Sequence, residues 1–300
     1  MEAPEFTHIP VLLEEVLSYV EEDQAQAIVV DGTFGRGGHA REILKKMKPK
    51  SYLALDKDPR AIEEAKLLQK EYGEKGTEIG VYHSSFIHIP KVMEKAQIKT
   101  ADFILLDLGV SSPQLDEGER GFSFNKPGPL DMRMDTSKGQ TAADIVNKMP
   151  EKELADIIYL YGEERASRKI ARAIVQQRAI SPINHTLQLA DLIESVMPRS
   201  GKNHPATRSF QALRIAVNGE LDELENILNS LPGCLSEGGV VALISFHSLE
   251  DRAVKVMYKK WASEGLGKIL TKKCISAGDY EARNNRRSRS AKLRVFRRGK

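Results

Sequence analysis

The stretch Val29-Val30-Asp31-Gly32-Thr33-Phe34-Gly35-Arg36-Gly37-Gly38-His39 decides the fold of this chain. It predicts a short apolar strand that ends in an acid, then a glycine-rich turn, then a helix. Glycine adopts positive φ and lets a ligand approach the backbone closely. The free N–H groups at the start of a helix favour anionic groups. The stretch therefore predicts a ligand-binding strand–turn–helix unit, the alternative being an ordinary structural turn.

A second acid follows at a distance typical of nucleotide-binding folds. The apolar run Tyr52-Leu53-Ala54-Leu55 ends in Asp56, 25 residues after Asp31. In such folds an acid at the tip of the second strand bonds ribose hydroxyls. The glycine spacing, Gly32-x-x-Gly35-x-Gly37-Gly38, matches neither the dinucleotide pattern nor a P-loop. S-adenosylmethionine carries ribose hydroxyls, a carboxylate and an ammonium but no phosphate, and Asp31 could hold that ammonium directly or through water.

Length and composition indicate a globular protein of one large domain or of a core with an inserted second domain. The chain has 300 residues, of which 41% are hydrophobic and 29% are charged. The longest apolar runs are far too short to cross a bilayer, and we expect no signal peptide and no membrane association. Two cysteines, Cys234 and Cys274, form neither a disulfide framework nor a metal motif. We therefore expect a cytoplasmic protein without a metal site.

The charge is unevenly placed along the chain. The net charge is +3, but residues 281–300 contain nine Lys or Arg and one acid, so this segment carries +8. A basic segment on a mildly acidic body indicates a polyanionic partner, most simply RNA or DNA. The alternative is a solvated, disordered tail. Against it, residues 291–297 alternate apolar with basic side chains, which is strand periodicity.

Apolar runs alternate with helical patterns through most of the chain. The predicted strands are 27–31, 52–56, 79–83, 102–107 and 239–246, and residues 291–297 add a strand-like segment. This alternation predicts a parallel sheet that is covered on both faces. Between the fourth and fifth strands we predict a loop over 113–137, helices at about 141–149, 151–161, 163–178 and 186–197, and one helix from about 206 to 231, ended by Pro232-Gly233. The predicted domains are a core of residues 1–112 and 206–300 and a helical insertion of residues 113–205.

Ligands of open parallel sheets bind outside the carboxyl ends of the strands. Phe86, after the third strand, could lie against an adenine ring or pack against the next helix. Asp107 ends a buried strand and needs a partner, from the protein or from a ligand. His247, after the fifth strand, could be a base, a substrate contact or a structural hydrogen-bonding residue. The candidate site therefore comprises Asp31 with the glycine turn, Asp56, Ser84-Ser85-Phe86, Asp107 with the loop to Gln114, and Ser245-Phe246-His247-Ser248.

Several longer motifs resemble one known family. They are His8–Glu15, Asp31–His39, Asp107–Asp116, Arg120–Phe124, Pro129–Asp135, His204–Glu220 and Ser245–Arg252. Together they resemble the bacterial 16S rRNA cytosine-N4 methyltransferase family called RsmH or MraW. The resemblance covers essentially the whole chain.

The resemblance implies an α/β fold, namely a Rossmann-like S-adenosylmethionine-dependent methyltransferase core with an inserted all-helical subdomain. It implies methyl transfer to N4 of a cytidine in the decoding region of 16S rRNA, within the 30S ribosomal subunit. The family's cofactor contacts fall on Gly37, Gly38, His39, Asp56, Phe86, Asp107 and Gln114, to which the strand-end argument adds Asp31 and Gly35. His39 and Gln114 come mainly from the resemblance.

The exocyclic amine of cytosine is a poor nucleophile, and an acceptor on its hydrogens would activate it and later take a proton. We expect Asp107, or Ser111 and Ser112 in the following loop, to supply that acceptor. We expect His247, Arg286, Arg287 and Arg289 to contact the RNA. Two other classes stay open: a nicotinamide-dependent oxidoreductase, disfavoured by the glycine spacing, and a non-catalytic ribosome-assembly factor. The sequence leaves the oligomeric state open, with a homodimer as one alternative.

Overall fold

A computed structural model describes residues 10–110, 115, 117–197 and 204–299 of the chain. Contacts between residues divide the chain into two compact units. The first, which we call the sheet unit, comprises the residues up to Gly109 and those from Asp222 onward, and the second, the helical unit, is Val110–Leu221. The helical unit extends past the predicted insertion of 113–205, because the helix Thr207–Asn218 packs against the helix Glu151–Gly162 within it.

The sheet unit alternates strands and helices in chain order. Its strands are β1 Ile28–Asp31, β2 Ser51–Asp56, β3 Glu78–His83, β4 Ala101–Asp107, β5 Leu235–Ser245, β6 Gly267–Ile269 and β7 Lys292–Arg298. Its helices are α1 Leu13–Leu17, α2 Gly38–Met47, α3 Pro59–Gly73, α4 Ile89–Lys95, α11 Ser248–Ser263 and α12 Asp279–Asn284. Short 3-10 helices lie at Phe86–His88 and Arg286–Ser290.

The seven strands form one sheet in the order β3-β2-β1-β4-β5-β7-β6. The first five strands along the chain pair in parallel, whereas β7 pairs antiparallel with both β5 and β6. The strand order reverses between β1 and β4, which lie side by side. Ligands of open α/β sheets bind at such a reversal, outside the carboxyl ends of the strands. Here those two ends are Asp31 and Asp107.

Alternating side chains along the central strands build a core on each face of the sheet. Val29 of β1 and Phe103 of β4 belong to one buried cluster, whereas Val30 and Ile104 belong to the other. Because successive side chains of a strand point to opposite faces, a strand buried on both faces is apolar throughout. This explains the continuous apolar runs from which the strands were predicted.

The helical unit has a buried core of its own. Its helices are α5 Ala142–Lys148, α6 Glu151–Gly162, α7 Ser167–Ile180, α8 Thr186–Val196 and α9 Thr207–Asn218, and α10 Glu220–Cys234 continues into the sheet unit. The predicted helix over 206–231 is in fact two helices, α9 and α10. Gly219 separates them at φ +61°, a left-handed conformation that is common where a helix ends and that glycine adopts without strain.

Two further differences concern element ends. Helix α10 continues to Cys234 with Pro232 in its last turn, beyond the predicted end. The basic segment near the C-terminus is confirmed as a strand, β7, whose apolar side chains Leu293, Val295 and Phe296 are buried. Among the described residues, none of the helices combines the length and the apolar character that crossing a membrane requires.

Candidate functional site

The glycine turn after β1 is held by backbone hydrogen bonds to both neighbouring strands. The N–H of Gly32 donates to the carbonyl of Leu105 at 3.0 Å, and the N–H of Phe34 donates to the carbonyl of Leu55 at 3.0 Å. Gly37 adopts φ +70°, and a Cβ atom there would lie 2.6 Å from the Phe34 ring. A side chain at Gly37 would therefore displace the ring that anchors the turn.

The three glycines of the turn differ in the space beside their Cα atoms. There is open space at Gly35 but none at Gly37 or Gly38. Gly35 adopts φ +57°, and an added Cβ would meet nothing nearer than the Thr33 carbonyl oxygen at 3.9 Å. At Gly38, the first residue of α2, an added Cβ would lie 2.4 Å from Pro10 Cγ. The space beside Gly35 is thus where a ligand can approach the backbone.

Asp56, at the end of β2, stabilises the glycine turn by hydrogen bonding. Its Oδ2 accepts from the N–H of Gly35 at 2.8 Å, and its Oδ1 accepts from the N–H of Asp58 at 2.8 Å. Burial raises the pKa of this carboxyl to about 6, although those backbone N–H groups act in the opposite direction. A carboxylate offers about four acceptor sites, so Asp56 can still accept from ribose hydroxyls beside the backbone N–H groups of Gly35, Asp58 and Lys57.

Asp31, at the end of β1, is enclosed by the protein. It is only 1% exposed. Its Oδ2 accepts from the Tyr52 hydroxyl at 2.8 Å, and its Oδ1 accepts from the N–H of Thr33 at 3.1 Å. Burial raises its pKa to about 7, and the charges of Asp56 and Asp107 act in the same direction. The structure thus gives both oxygens internal partners, and the expected contact with a ligand ammonium stays a prediction.

Asp107, at the end of β4, has a different environment. Its backbone N–H donates to Thr33 Oγ1 at 2.6 Å, which joins the end of β4 to the glycine turn. The side chain is 20% exposed. Its Oδ1 is buried and has no hydrogen-bond partner among the described residues. A buried carboxylate oxygen without a hydrogen-bond partner costs free energy. A ligand group that donates a hydrogen bond to this oxygen would remove that cost.

His39, in the first turn of α2, faces Asp107. Its Nε2 lies 3.0 Å from the Val11 carbonyl oxygen, and its Nδ1 lies 3.8 Å from Asp107 Oδ2. A carbonyl can only accept, so Nε2 carries the hydrogen. Burial lowers the pKa of His39, whereas Asp107 acts to raise it. In the neutral ring Nδ1 is then an acceptor, and two acceptor groups face each other where a ligand could donate to both.

Phe86 lies at the start of the 3-10 helix after β3. Its ring packs against the core cluster that contains Val30, yet it is only partly buried. The packing alternative therefore has direct support, and contact with an adenine ring stays a prediction. The neighbouring Ser85 donates to Glu223 Oε2 at 2.9 Å, and Lys57 Nζ lies 2.5 Å from the same oxygen. Through the ion pair with Lys57 and the hydrogen bond from Ser85, Glu223 of α10 connects the residues that follow β2 and β3.

Three of the predicted site residues lie outside the described part of the chain: Ser111, Ser112 and Gln114. Their roles stay predictions.

His247 has a structural function at the start of α11. Its Nδ1 accepts from the N–H of Glu250 at 3.4 Å, and Glu250 Oε2 accepts from the N–H groups of Phe246 and His247 at 2.8 and 3.3 Å. This reciprocal arrangement is a capping box, which satisfies N–H groups at a helix start. The structure thus supports the hydrogen-bonding alternative for His247, and its contact with substrate stays a prediction.

The three predicted RNA-contacting arginines do not share one environment. Arg286 and Arg289 are exposed, whereas Arg287 is half-buried. The Arg287 guanidinium carbon lies 5.6 Å from the centroid of the Phe246 ring. The structure therefore places Arg287 beside the strand ends and leaves the other two at the surface of the sheet unit.

Sequence reasoning missed four residues of this region. Tyr52 and Thr33 hold Asp31 and Asp107, and Glu223 joins two strand ends. Tyr280, in α12, is 81% exposed next to the arginine segment. An aromatic side chain close to Arg283 and Arg286 was a usable signal for base stacking. By contrast, nothing in the sequence shows that the Tyr52 hydroxyl reaches Asp31.

These residues fit S-adenosylmethionine. Asp56 and the open space at Gly35 suit a ribose. Asp107 Oδ1, to which none of the described residues donates, suits a donor group of a cationic ligand. Three carboxyls with raised pKa lie at adjoining strand ends, so a positively charged ligand would stabilise their ionised forms. A pyrophosphate would have the opposite effect.

The chain is similar to proteins of known family over nearly its whole length. The MraW methylase family matches residues 5–299. Two relatives are named ribosomal RNA small subunit methyltransferase H. The one from Xanthomonas oryzae pv. oryzae is 47% identical over 98% of this chain and 90% of its own length. One from Caldicellulosiruptor saccharolyticus is 48% identical over 97% of this chain and 98% of its own length.

Solved structures resemble the chain more distantly. An rRNA methylase from Streptococcus thermophilus aligns with a TM-score of 0.41 at 10% identity, over 95% of this chain and 93% of that one. Family membership therefore rests on the sequence matches. The chain belongs to the MraW methylase family, and it is a methyltransferase that takes its methyl group from S-adenosylmethionine.

Proposed function

We propose that this enzyme methylates the N4 amine of a cytidine in the decoding region of 16S rRNA, within the 30S ribosomal subunit. The observation that carries the chemistry is the buried Asp107 Oδ1, which has no hydrogen-bond partner in the described part of the chain and lies where the strand order reverses. The relatives named as ribosomal RNA small subunit methyltransferases support the class of substrate.

The cofactor would be held by the residues around the glycine turn. Asp56 would accept from the ribose hydroxyls, Gly35 would allow close approach to the backbone, and His39 and Asp107 would contact the amino-acid portion. Bound there, S-adenosylmethionine supplies an electrophilic methyl group. Phe86 and Gln114 are further proposed contacts, the first with the adenine ring.

Asp107 is the group in the described residues that is best suited to act on the substrate amine. An acceptor on the amine hydrogens localises the nitrogen lone pair and then takes the proton that the nitrogen loses. Burial raises the pKa of Asp107, which makes its carboxylate a better proton acceptor than an exposed one. Ser111 and Ser112 stay the alternative acceptors.

The RNA would be held by the basic surface that follows α12. Arg286 and Arg289 are exposed there, and Tyr280 offers a ring on which an unpaired base can stack. Replacing both arginines by Ala should weaken RNA binding and reduce the slope of log affinity against log salt by about 0.7–0.9 for each lost phosphate contact. Filter binding over a salt series measures this slope, and an unchanged slope contradicts the assignment.

The deciding experiment is transfer of a labelled methyl group to 30S subunits that lack the modification. Mass spectrometry of the digested nucleosides then identifies the modified atom. We expect N4-methylcytidine with the wild-type protein and none with Asp107→Ala. Free 16S rRNA, tested in parallel, shows whether the assembled subunit is needed.

A non-catalytic assembly factor is the alternative that the same experiment tests. Such a protein would bind S-adenosylmethionine and subunits without transferring the methyl group. Methylation of another atom or nucleoside would keep the enzyme class and reject the proposed target.

A further inference from the structure

Arg287 lies beside the candidate active site, although sequence reasoning grouped it with two surface arginines. Its guanidinium carbon is 5.6 Å from the centroid of the Phe246 ring. Phe246 follows the end of β5, where Ile244 pairs with Asp107 of β4. The same ring borders Gly109, where an added Cβ would lie 3.1 Å from it. Phe246 thus supports Arg287 next to the end of β4.

The charged groups around Asp107 come from four other elements. His39 of α2 lies 3.8 Å from its Oδ2, Asp31 ends the adjoining β1, and Glu250 belongs to α11. Arg287 belongs to the 3-10 helix that precedes β7. Burial raises the pKa of Asp107 and Glu250 adds to that effect, whereas His39 and Arg287 lower it. His39 itself has a lowered pKa, through burial and also through Arg287.

Arg287 is the one permanent cation among these groups. An arginine keeps its charge throughout the physiological range, whereas His39 lowers the pKa of Asp107 only while its ring is protonated, a form that burial disfavours. The charges of Asp31 and Glu250 oppose ionisation of Asp107. Without this cation the pKa of Asp107 would be higher, so a larger share of the carboxyl would be protonated and unable to take the amine proton.

We propose that Arg287 is a positioning residue of the methyl-transfer site, which holds Asp107 as a carboxylate and does not bind RNA phosphate. The cation–π contact with Phe246 fixes the guanidinium where it can act on that carboxylate. This inference rests on the proposed role of Asp107 in the reaction. It divides the arginine segment by function, with Arg287 serving the chemistry and Arg286 and Arg289 serving the substrate.

The direct test is the titration of Asp107 in the free protein. Protein labelled with 13C at aspartate carboxyls is titrated by NMR, and the Asp107 signal is identified by its loss in Asp107→Asn. We expect Arg287→Gln to move the Asp107 midpoint to higher pH by about one unit, because an opposite charge nearby favours the ionised form. Arg287→Lys keeps a charge and should restore most of the wild-type midpoint. Arg286→Gln, the matched control, should leave the midpoint unchanged.

Two further measurements separate the proposal from its alternative. S-adenosylhomocysteine affinity is followed against pH by calorimetry, and the acid limb of its profile should move upward with Arg287→Gln. RNA affinity should fall more with Arg286→Gln than with Arg287→Gln. An unchanged Asp107 midpoint, together with an RNA affinity that falls as in Arg286→Gln, would overturn the proposal and make Arg287 a phosphate contact.

The outcome is independent of whether the rRNA target is right. If no protein variant methylates cytidine N4 but the Asp107 midpoint still moves with Arg287→Gln, the proposed target fails and the coupling of Arg287 to Asp107 stands. If the wild type methylates cytidine N4 and the midpoint does not move, the target stands and the coupling fails.

Discussion

The ends of β1 and β4 carry the same sequence pattern and have different environments. Both strands are apolar runs that end in an aspartate at the reversal of the strand order. Asp31 is enclosed, with a hydrogen bond to each oxygen, whereas Asp107 keeps a buried oxygen to which no residue that the structure describes donates. The first carboxylate therefore holds the turn together, and the second is available to a ligand.

The difference comes from what the neighbouring strand offers. Tyr52 of β2 and Thr33 of the turn donate to Asp31, whereas Thr33 engages only the backbone N–H of Asp107. Thr33 is thus shared between the two strand ends. An aspartate at a strand end becomes functional when its surroundings leave it a free lone pair, and its position in the sequence alone does not decide this.

The sharpest test of the comparison is Asp107→Asn. An amide cannot take the amine proton, so we expect methyl transfer at saturating cofactor to fall by about 10²–10⁴. Folding stability should be kept or should rise, because a buried carboxyl with a raised pKa is removed. Single-turnover kinetics with saturating S-adenosylmethionine measure the step.

The contrary result is a weaker cofactor affinity with an unchanged rate at saturation. Asp107 would then hold the cofactor only, and Ser111 or Ser112 would be the remaining candidates for the acceptor.

At the other strand end, Asp31→Asn should act mainly on stability and its pH dependence. The folded pKa of about 7 lies above the ordinary value of 3.8. The free energy of unfolding of the wild type therefore falls as pH rises from 4 to 7, since the unfolded chain ionises first. Asp31→Asn has no carboxyl to ionise at this position, so its free energy of unfolding does not fall in this way. Between pH 4 and pH 7 its stability relative to the wild type should therefore rise by roughly 3 kcal/mol.

Urea unfolding of both proteins at several pH values between 4 and 8 measures that difference. A difference that stays constant with pH would show that Asp31 is ionised in the folded protein throughout the range.

Thr33→Val tests the link between the two strand ends. Valine keeps the shape and removes the acceptor of the Asp107 N–H, which should cost about 1–3 kcal/mol of unfolding free energy. Thr33→Ser keeps the hydroxyl and serves as the matched control. Chemical denaturation compares the three proteins, and equal stability of Val and Ser variants would show that the 2.6 Å hydrogen bond does not stabilise the fold.

The smallest effect is expected from Tyr52→Phe. The change removes the hydroxyl that donates to Asp31 and should cost about 1 kcal/mol of stability. Since that hydrogen bond lowers the pKa of Asp31, its loss should raise this pKa further. Methyl transfer should stay within twofold of the wild type. A loss of activity as large as that of Asp107→Asn would mean that the two strand ends act together.

The sheet and the positions of the strand ends could be predicted, because strands that are buried on both faces consist of continuous apolar runs. The runs ending in Asp31, Asp56 and Asp107 are each strands that end at those residues. The division between α9 and α10 could not be predicted, because apolar side chains keep helical spacing from Phe210 through Leu224. Only the positive φ of Gly219 interrupts them.

The candidate site was harder to predict than the fold. Its residues were found by position, but their partners depend on register and side-chain direction. The sequence around His247 has the His-x-x-Glu spacing of a capping box, and histidine is an uncommon residue at that position. The sequence predicts one role for all three arginines of the basic segment, because a count of charges does not show that Arg287 lies against Phe246.

The position of β7 has a consequence for the order of folding during synthesis. This strand is the last of the sheet along the chain, yet it lies between β5 and β6. Until it leaves the ribosome, the outer edge of β5 has no partner and β6 has no strand beside it. The helical unit, contiguous over 110–221, emerges whole before β5. We therefore expect this unit to become compact early, while the sheet unit closes only after translation has passed residue 298. An unpaired β5 edge is exposed to aggregation in that interval.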